Sequence, residues 1–219
     1  IYGLELEHIL SPHSMNFLVY KDTLIEEHIA GIPGDDFIRD VLPNCTELEK
    51  SQIAKEFIKF KERCLVRLLG DMRSYNYVIT PTHDFDQIIY KIRAIDFDQQ
   101  SFEGNLKVYN LQFMKENFKM IEMVGKKLQN DSIRQYKIEE RSFMAKRMIT
   151  APRRTARLIK CMKADTISFP ENVALLKKQL VKYVGDVKFK DCKNMGEILE
   201  TILAFVKRNY LDISNKELF

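Results

Sequence analysis

Asp71 and Asn76 stand five residues apart in Leu69-Gly70-Asp71-Met72-Arg73-Ser74-Tyr75-Asn76, and the asparagine opens an apolar run, Tyr77-Val78-Ile79. A second apolar run, Ile88 to Ile95, ends on Asp96-Phe97-Asp98. Carboxylate and carboxamide oxygens are the donors that a hard cation such as magnesium takes. A carboxylate beside a hydroxyl can also accept its proton. The residue types therefore suit a site that holds a nucleophile and a cation together. The plainer reading is that Asp71 and Asn76 form turns and that Asp-Phe-Asp closes a strand, because Asp and Asn bond readily to their own local backbone. Either half alone is unspecific; both in order, each against a strand-like run, are more specific.

Those residues need a rigid support. Thr46-x-x-Glu49 is a capping-box signature, and Ile53, Phe57, Phe60, Cys64 and Leu68 recur behind it every three or four residues. The spacing predicts a long amphipathic helix over 46–69 that runs directly into Gly70-Asp71. Downstream, Tyr77 to Thr80 and Gln87 to Ile95 pair across Pro81-Thr82-His83-Asp84-Phe85-Asp86.

The rest of the chain supplies walls. Residues 1–10 read as the end of a helix, broken by Ser11-Pro12-His13-Ser14. Asn16 to Tyr20 and Thr23 to Ile29 read as a hairpin across Lys21-Asp22. After Gly31-Ile32-Pro33-Gly34, Asp35 or Asp36 is expected to cap a short helix through Leu42. From Asn105 to Gln129, helical spacing of Leu111, Met114, Phe118, Ile121 and Val124 predicts a helix with a core stripe. A second runs from Asp131 to Lys163, kinked or split at Ala151-Pro152. Pro170 opens a third that Gly185 ends, and Asn194 caps the last. The order is hairpin, helix, hairpin and then an all-helical stretch, so the fold class is α+β, with two small β-hairpins and a mainly helical second half.

Composition sets bounds. The 219 residues are 45% hydrophobic and 30% charged, which describes a globular chain able to bury a core. No apolar run approaches the roughly 20 residues of a membrane span, so no membrane partner is expected. Cys45, Cys64, Cys161 and Cys192 are scattered with no C-x-x-C pair, which predicts reduced thiols and a cytoplasmic location. Cys64 falls on an apolar helix face and reads as a core thiol. His8, His13, His28 and His83 form no pair at metal spacing. The start at Ile1 resembles no signal peptide and lacks an initiator methionine, so the chain is expected to begin inside a longer product.

One charged stretch stands apart: Lys146, Arg147, Arg153, Arg154, Arg157, Lys160 and Lys163. A solvated helix face is the default reading. The functional reading is a landing surface for an acidic substrate, phosphate groups or nucleic acid. With a net charge of only +4 and no aromatic residue between Arg147 and Phe169, nucleic acid is not the expected partner.

The order D-x-x-x-x-N, strand, turn, strand, D-F-x resembles the protein-kinase-like superfamily, in its aminoglycoside phosphotransferase and choline kinase branch. The resemblance covers about residues 15 to 100; residues 105–219 carry no motif of it. It implies an ATP- and magnesium-dependent phosphotransferase acting on a hydroxyl of a small molecule or a protein. Asp71 then takes the catalytic-base position, Arg73 that of a phosphate-contacting lysine, and Asn76 and Asp96 those of the metal ligands. Glu26, Glu27, His28 and Ile29 fall at the hinge whose backbone would bind adenine. The implied division is 1–34, a remnant of the N-lobe strands and hinge, and 35–219, a helical C-lobe.

The sequence departs from that pattern in places. Leu69 stands where a histidine or its equivalent is usual, and Asp98 where protein kinases have glycine. Nothing ahead of residue 15 offers a glycine-rich loop or a strand lysine. The chain therefore reads either as a fragment whose nucleotide-covering lobe lies upstream, or as a catalytically inactive kinase-like binding or scaffold protein. Unpaired edges on the first hairpin allow a homo-oligomer. If the resemblance holds, Asp71, Asn76 and Asp96 must converge on one cleft.

Overall fold

The computed structural model describes residues 1–13, 15–85 and 87–211. Ser14 and Asp86, named above in two turns, lie outside the described residues, as do residues 212–219 of the second segment. The architecture is α+β. In chain order, α1 is Tyr2–Leu10, β1 Phe17–Tyr20, β2 Thr23–Glu26 and β3 Ile32–Pro33. Next come α2, Gly34–Asp36, and α3, Glu47–Arg67, then β4, Tyr77–Asp84, and β5, Gln87–Ala94. The helices α4 Phe118–Lys127, α5 Asn130–Thr150, α6 Pro152–Ala164, α7 Pro170–Val184 and α8 Met195–Tyr210 complete it. Among the described residues no helix is long and apolar enough to cross a membrane.

The strands form two antiparallel sheets. β1 and β2 pair alone, with Leu18 opposite Ile25 and Val19 opposite Leu24. β3, β4 and β5 form the other, with Tyr77 opposite Ala94 and Asp84 opposite Gln87. β4 thus continues through Pro81 to Asp84, which the sequence suggested as a turn. The cross-strand register carries on without a break, and at the tip Phe85 adopts a positive φ, 48°.

α3 is the central element. Its N-terminus has the reciprocal capping box: the Thr46 hydroxyl accepts from the Glu49 amide, and the Glu49 carboxylate accepts from the Thr46 amide. Its early apolar residues, Ile53, Phe57 and Phe60, join the core beneath β3–β5 and α4. Its last residues, Leu65 and Val66, join a second core built from α1 and α5–α8. Leu68 closes the helix in the left-handed region at φ 56° and belongs to the second core; Leu69, the next residue, belongs to the first.

α3 also carries charges inward. Glu62, Arg63 and Arg67 are each at most 2% exposed. Arg63 meets Glu140 at 3.2 Å and Glu56 at 2.8 Å, and Arg141 meets Glu62 at 2.5 Å. Arg67 pairs with Glu7 of α1. Burial works against the Arg63 charge, but the two carboxylates more than offset it and raise its pKa. Glu140 is itself pushed upward by burial, with Arg63 opposing.

Three expectations need correcting. Asp35 and Asp36 are not caps: Pro33 holds the N-cap position of α2 without a side-chain bond, and both aspartates lie in the first turn. The turn then widens into a π-helical stretch, Phe37–Val41, and a 3-10 turn, Leu42–Asn44. The predicted helix from Asn105 is instead three 3-10 turns, Leu106–Tyr109, Leu111–Phe113 and Lys115–Asn117, before α4 begins. Asn105 and Asn110 cap the first two with their side chains, at 3.1 and 3.4 Å, and so stop helix propagation. The inward stripe shifts accordingly. Leu111, Met120, Met123 and Val124 are buried, while Phe118 is 67% exposed. By contrast, the split at Pro152, the left-handed end at Gly185 and the Asn194 cap lie where the sequence put them.

Two predictions test this framework. Arg63→Met strands Glu140 without its cation and should cost about 3–5 kcal/mol in urea unfolding, much of it recovered by adding Glu140→Leu. His13 is pushed down from 6.5 to about 4, by burial first and the Arg63 charge second. Between those values the unfolded chain takes up a proton that the native state refuses, so stability falls as pH drops from 6.5 to about 4. His13→Gln should flatten that part of the stability–pH curve; an unchanged slope would show that other groups carry it.

Candidate functional site

The chain leaves α3 at the seam between the two cores and enters the loop 68–76. Backbone bonds stitch this loop to the segment after β5. Gly70 N donates to Gln99 O at 3.2 Å, Ser101 N to Leu68 O at 2.8 Å, and Ile95 N to Asn76 O at 3.1 Å. A side chain at position 70 would press on Val108 at 3.1 Å and on the Gln99 carbonyl at 3.3 Å, so glycine is what lets the segments close up. The last of these bonds carries the β4–β5 ladder one step further. It sets Asn76 opposite Ile95, one residue before Asp96.

Asp71 is in the left-handed region, φ 54°, which aspartate tolerates better than most residues. Its carbonyl accepts from Arg73 N at 2.8 Å and from Asn76 Nδ2 at 2.8 Å. The second bond holds the Asn76 carboxamide against the loop. The Asp71 carboxylate accepts from Arg73 Nε at 2.8 Å, and Arg73 also reaches Glu116 at 3.5 Å. Hydrogen bonding to Asp71, with its charge, raises the Arg73 pKa.

Asp96 Oδ1 accepts from Asp98 N at 3.1 Å. Asp98 has a raised pKa, by burial first, then by the Asp96 charge and hydrogen bond; Asp71 adds to it. The three aspartates therefore share one electrostatic neighbourhood, and the sequence-predicted Asp71, Asn76 and Asp96 belong to adjoining loop segments. Phe97 lies against Gly3 of α1, so α1 covers the back of the Asp96 turn.

The proposed hinge residues lie at the end of β2 and just beyond it, and Phe97 of the Asp96 turn packs against the small core that holds Ile29. Glu26, Glu27 and His28 are exposed, while Ile29 is buried with Leu4, Met15 and Val78. Glu27 is already engaged: its amide donates to Asn16 O, and its carboxylate accepts from Asn16 N and Nδ2, each at 2.9 Å. The Ala30 carbonyl accepts from Thr80 Oγ1 at 3.1 Å. Backbone groups for a ligand edge would thus come from His28 and Ile29.

Several supporting residues gave no signal in the sequence. Asn117 is fully buried. It accepts from the Tyr77 hydroxyl at 2.9 Å and donates to the Met72 carbonyl at 2.9 Å, so it holds the residue after Asp71. Gln100 donates to the carbonyls of Arg67 at 2.6 Å and Leu68 at 3.3 Å, tying the end of α3 to the turn after Asp98. A polar residue in a polar stretch looks like solvent-facing loop.

Among the described residues no group of three or more His, Cys, Asp or Glu is placed to hold a metal ion. One carboxylate and one carboxamide oxygen nevertheless suit magnesium, which takes one or two protein carboxylates and completes its shell from water and phosphate. All four cysteines are unpaired, with Cys161 alone exposed. No protein-family model, curated protein or solved structure matches this chain.

Asn117→Ala should leave the Tyr77 hydroxyl and the Met72 carbonyl buried without partners and cost about 2–3 kcal/mol. Asp71→Asn, which also tolerates the left-handed region, should change stability by less than about 0.5 kcal/mol, whereas Asp71→Val should cost about 1–2 kcal/mol. Equal melts for Asn and Val at position 71 would show that the backbone there relaxes freely.

Proposed function

We propose that the loop 68–76 and the Asp96-Phe97-Asp98 turn are the lower half of a kinase-like phosphotransfer site. In this reading the chain serves ATP- and magnesium-dependent transfer to a hydroxyl of a small molecule or protein. The observation that supports it is the antiparallel ladder step that sets Asn76 opposite Ile95, one residue before Asp96, with Asp71 tied to the same asparagine through its carbonyl. Asp96 and Asn76 would hold magnesium, which when bound supplies neutralising charge to the phosphates. Asp71 orients the acceptor hydroxyl and takes its proton. Arg73 sits one side chain away and could swing from Asp71 and Glu116 onto the transferred phosphoryl oxygens. Phosphoryl transfer asks for positioning and charge rather than covalent help from the protein, and these residues supply both.

A second reading has its own support. Arg73 already grips the Asp71 carboxylate at 2.8 Å, so one of the two oxygens that would face an acceptor hydroxyl is taken. A chain that keeps this clasp would be a kinase-like binding or scaffold protein without turnover.

Thermal melts with magnesium and a non-hydrolysable ATP analogue test the site. A ligand at a hundred times its Kd should stabilise the native state by about 2.7 kcal/mol. Asp96→Ala should remove the magnesium-dependent part of that gain. Asp71→Asn should keep it and abolish phosphate transfer from labelled ATP. Equal loss of nucleotide binding in both variants, or no stabilisation of the wild type, would defeat the kinase-like reading. Binding without transfer to any hydroxyl would select the scaffold.

A further inference from the structure

The basic stretch of the sequence takes on a definite shape on α6. A groove of about 600 Å³ runs between α1 and α6. Tyr2 and Glu5 line one side; Arg153, Arg154, Arg157 and Leu158 line the other. Three guanidiniums face a single carboxylate. That carboxylate is committed: Arg154 Nε meets Glu5 Oε2 at 2.8 Å, which braces α6 against α1. Arg153 and Arg157 are exposed, four residues apart, and therefore neighbours on one helix face. The Tyr2 hydroxyl is turned elsewhere, donating to Asp165 at 3.0 Å.

We propose that the α1–α6 groove binds a small organic phosphate monoester, with its dianion held between Arg153 and Arg157 and its organic part lying along Tyr2 and Leu158. The ligand class follows from charge and size. Guanidinium forks match phosphate oxygens bidentately, and two of them suit a dianion better than a single carboxylate. The scaffold beneath is fixed, because Leu158, Ile159 and Met162 anchor α6 in the core. The first turn of α6 carries Arg153 and Arg154 and no acid, a placement that a bound anion would relieve.

A nucleic acid fits less well. Duplex DNA offers one charge per about 1.7 Å, so three cations within two helical turns neutralise only a few phosphates and give weak, salt-sensitive binding. The groove also adjoins the acidic loop: its residues Ile1 and Tyr2 line, on their other side, a cleft of about 280 Å³ that reaches Phe97 and Asp98. This anion site does not depend on the phosphotransfer reading.

Calorimetric titration with phenyl phosphate tests it. Saturable binding at one site is expected, tighter than that of inorganic phosphate or benzoate. Arg153→Ala with Arg157→Ala should weaken it at least tenfold. Lys119→Ala with Lys178→Ala, the same change in net charge at exposed positions outside the groove lining, should leave it within twofold. Arg153→Lys with Arg157→Lys should fall between, because charge is kept and the fork is lost. The proposal is overturned by absence of saturation, or by equal weakening in the lysine pair. It is equally overturned if inorganic phosphate binds as well as phenyl phosphate. An oligonucleotide that binds more tightly than phenyl phosphate, and is released by the same arginine substitutions, would reassign the groove to nucleic acid. Unchanged melting temperatures of the variants separate lost binding from lost fold.

Discussion

The crossed ion pair between α3 and α5 fixes the rest of the molecule. Adjacent residues Glu62 and Arg63 on α3 face adjacent residues Arg141 and Glu140 on α5, each to its opposite. A slip of one residue between the helices would set like charges against each other in a dry interior. Apolar packing alone tolerates small adjustments of register; buried charges of fixed order do not. Arg67, one turn further on, repeats the device toward Glu7 of α1. The direction in which α3 releases the chain at Leu68 is therefore set by electrostatics on its buried face, and the position of Asp71 follows from that direction.

This dependence explains what could be read in advance. α3 was legible because a capping box and an apolar period point the same way. The adjoining placement of the 68–76 loop and the Asp96 turn was legible because each borders one of two strand-like runs that pair with each other. The splitting of the long helical stretch at Pro152 and the ends at Gly185 and Asn194 rest on backbone rules that context seldom overrides.

What escaped has a common cause. Hydrophobic periodicity is blind to charges that are buried with partners far along the chain, so Glu7, Glu62, Arg63, Arg67 and Glu140 all looked like surface. Spacings of three and four also fit successive 3-10 turns, which is why residues 106–117 passed for the start of a helix. The difference lay in Asn105 and Asn110, whose side chains compete with the helical ladder. Asn117 and Gln100 were missed because their function is to satisfy backbone carbonyls of another segment, a need that appears only once the fold exists.

The placement of α3 as the common wall of both cores has a consequence for cooperativity. Neither half can lose its packing without exposing one flank of the same helix, so the two cores should melt as one unit rather than in sequence. The loop 68–76 starts with one anchor in each core, Leu68 and Leu69. Partial unfolding would thus not leave a loosened but assembled acidic cluster. The grouping of Asp71, Asn76 and Asp96 belongs to the native state alone, and its population is that of the whole fold.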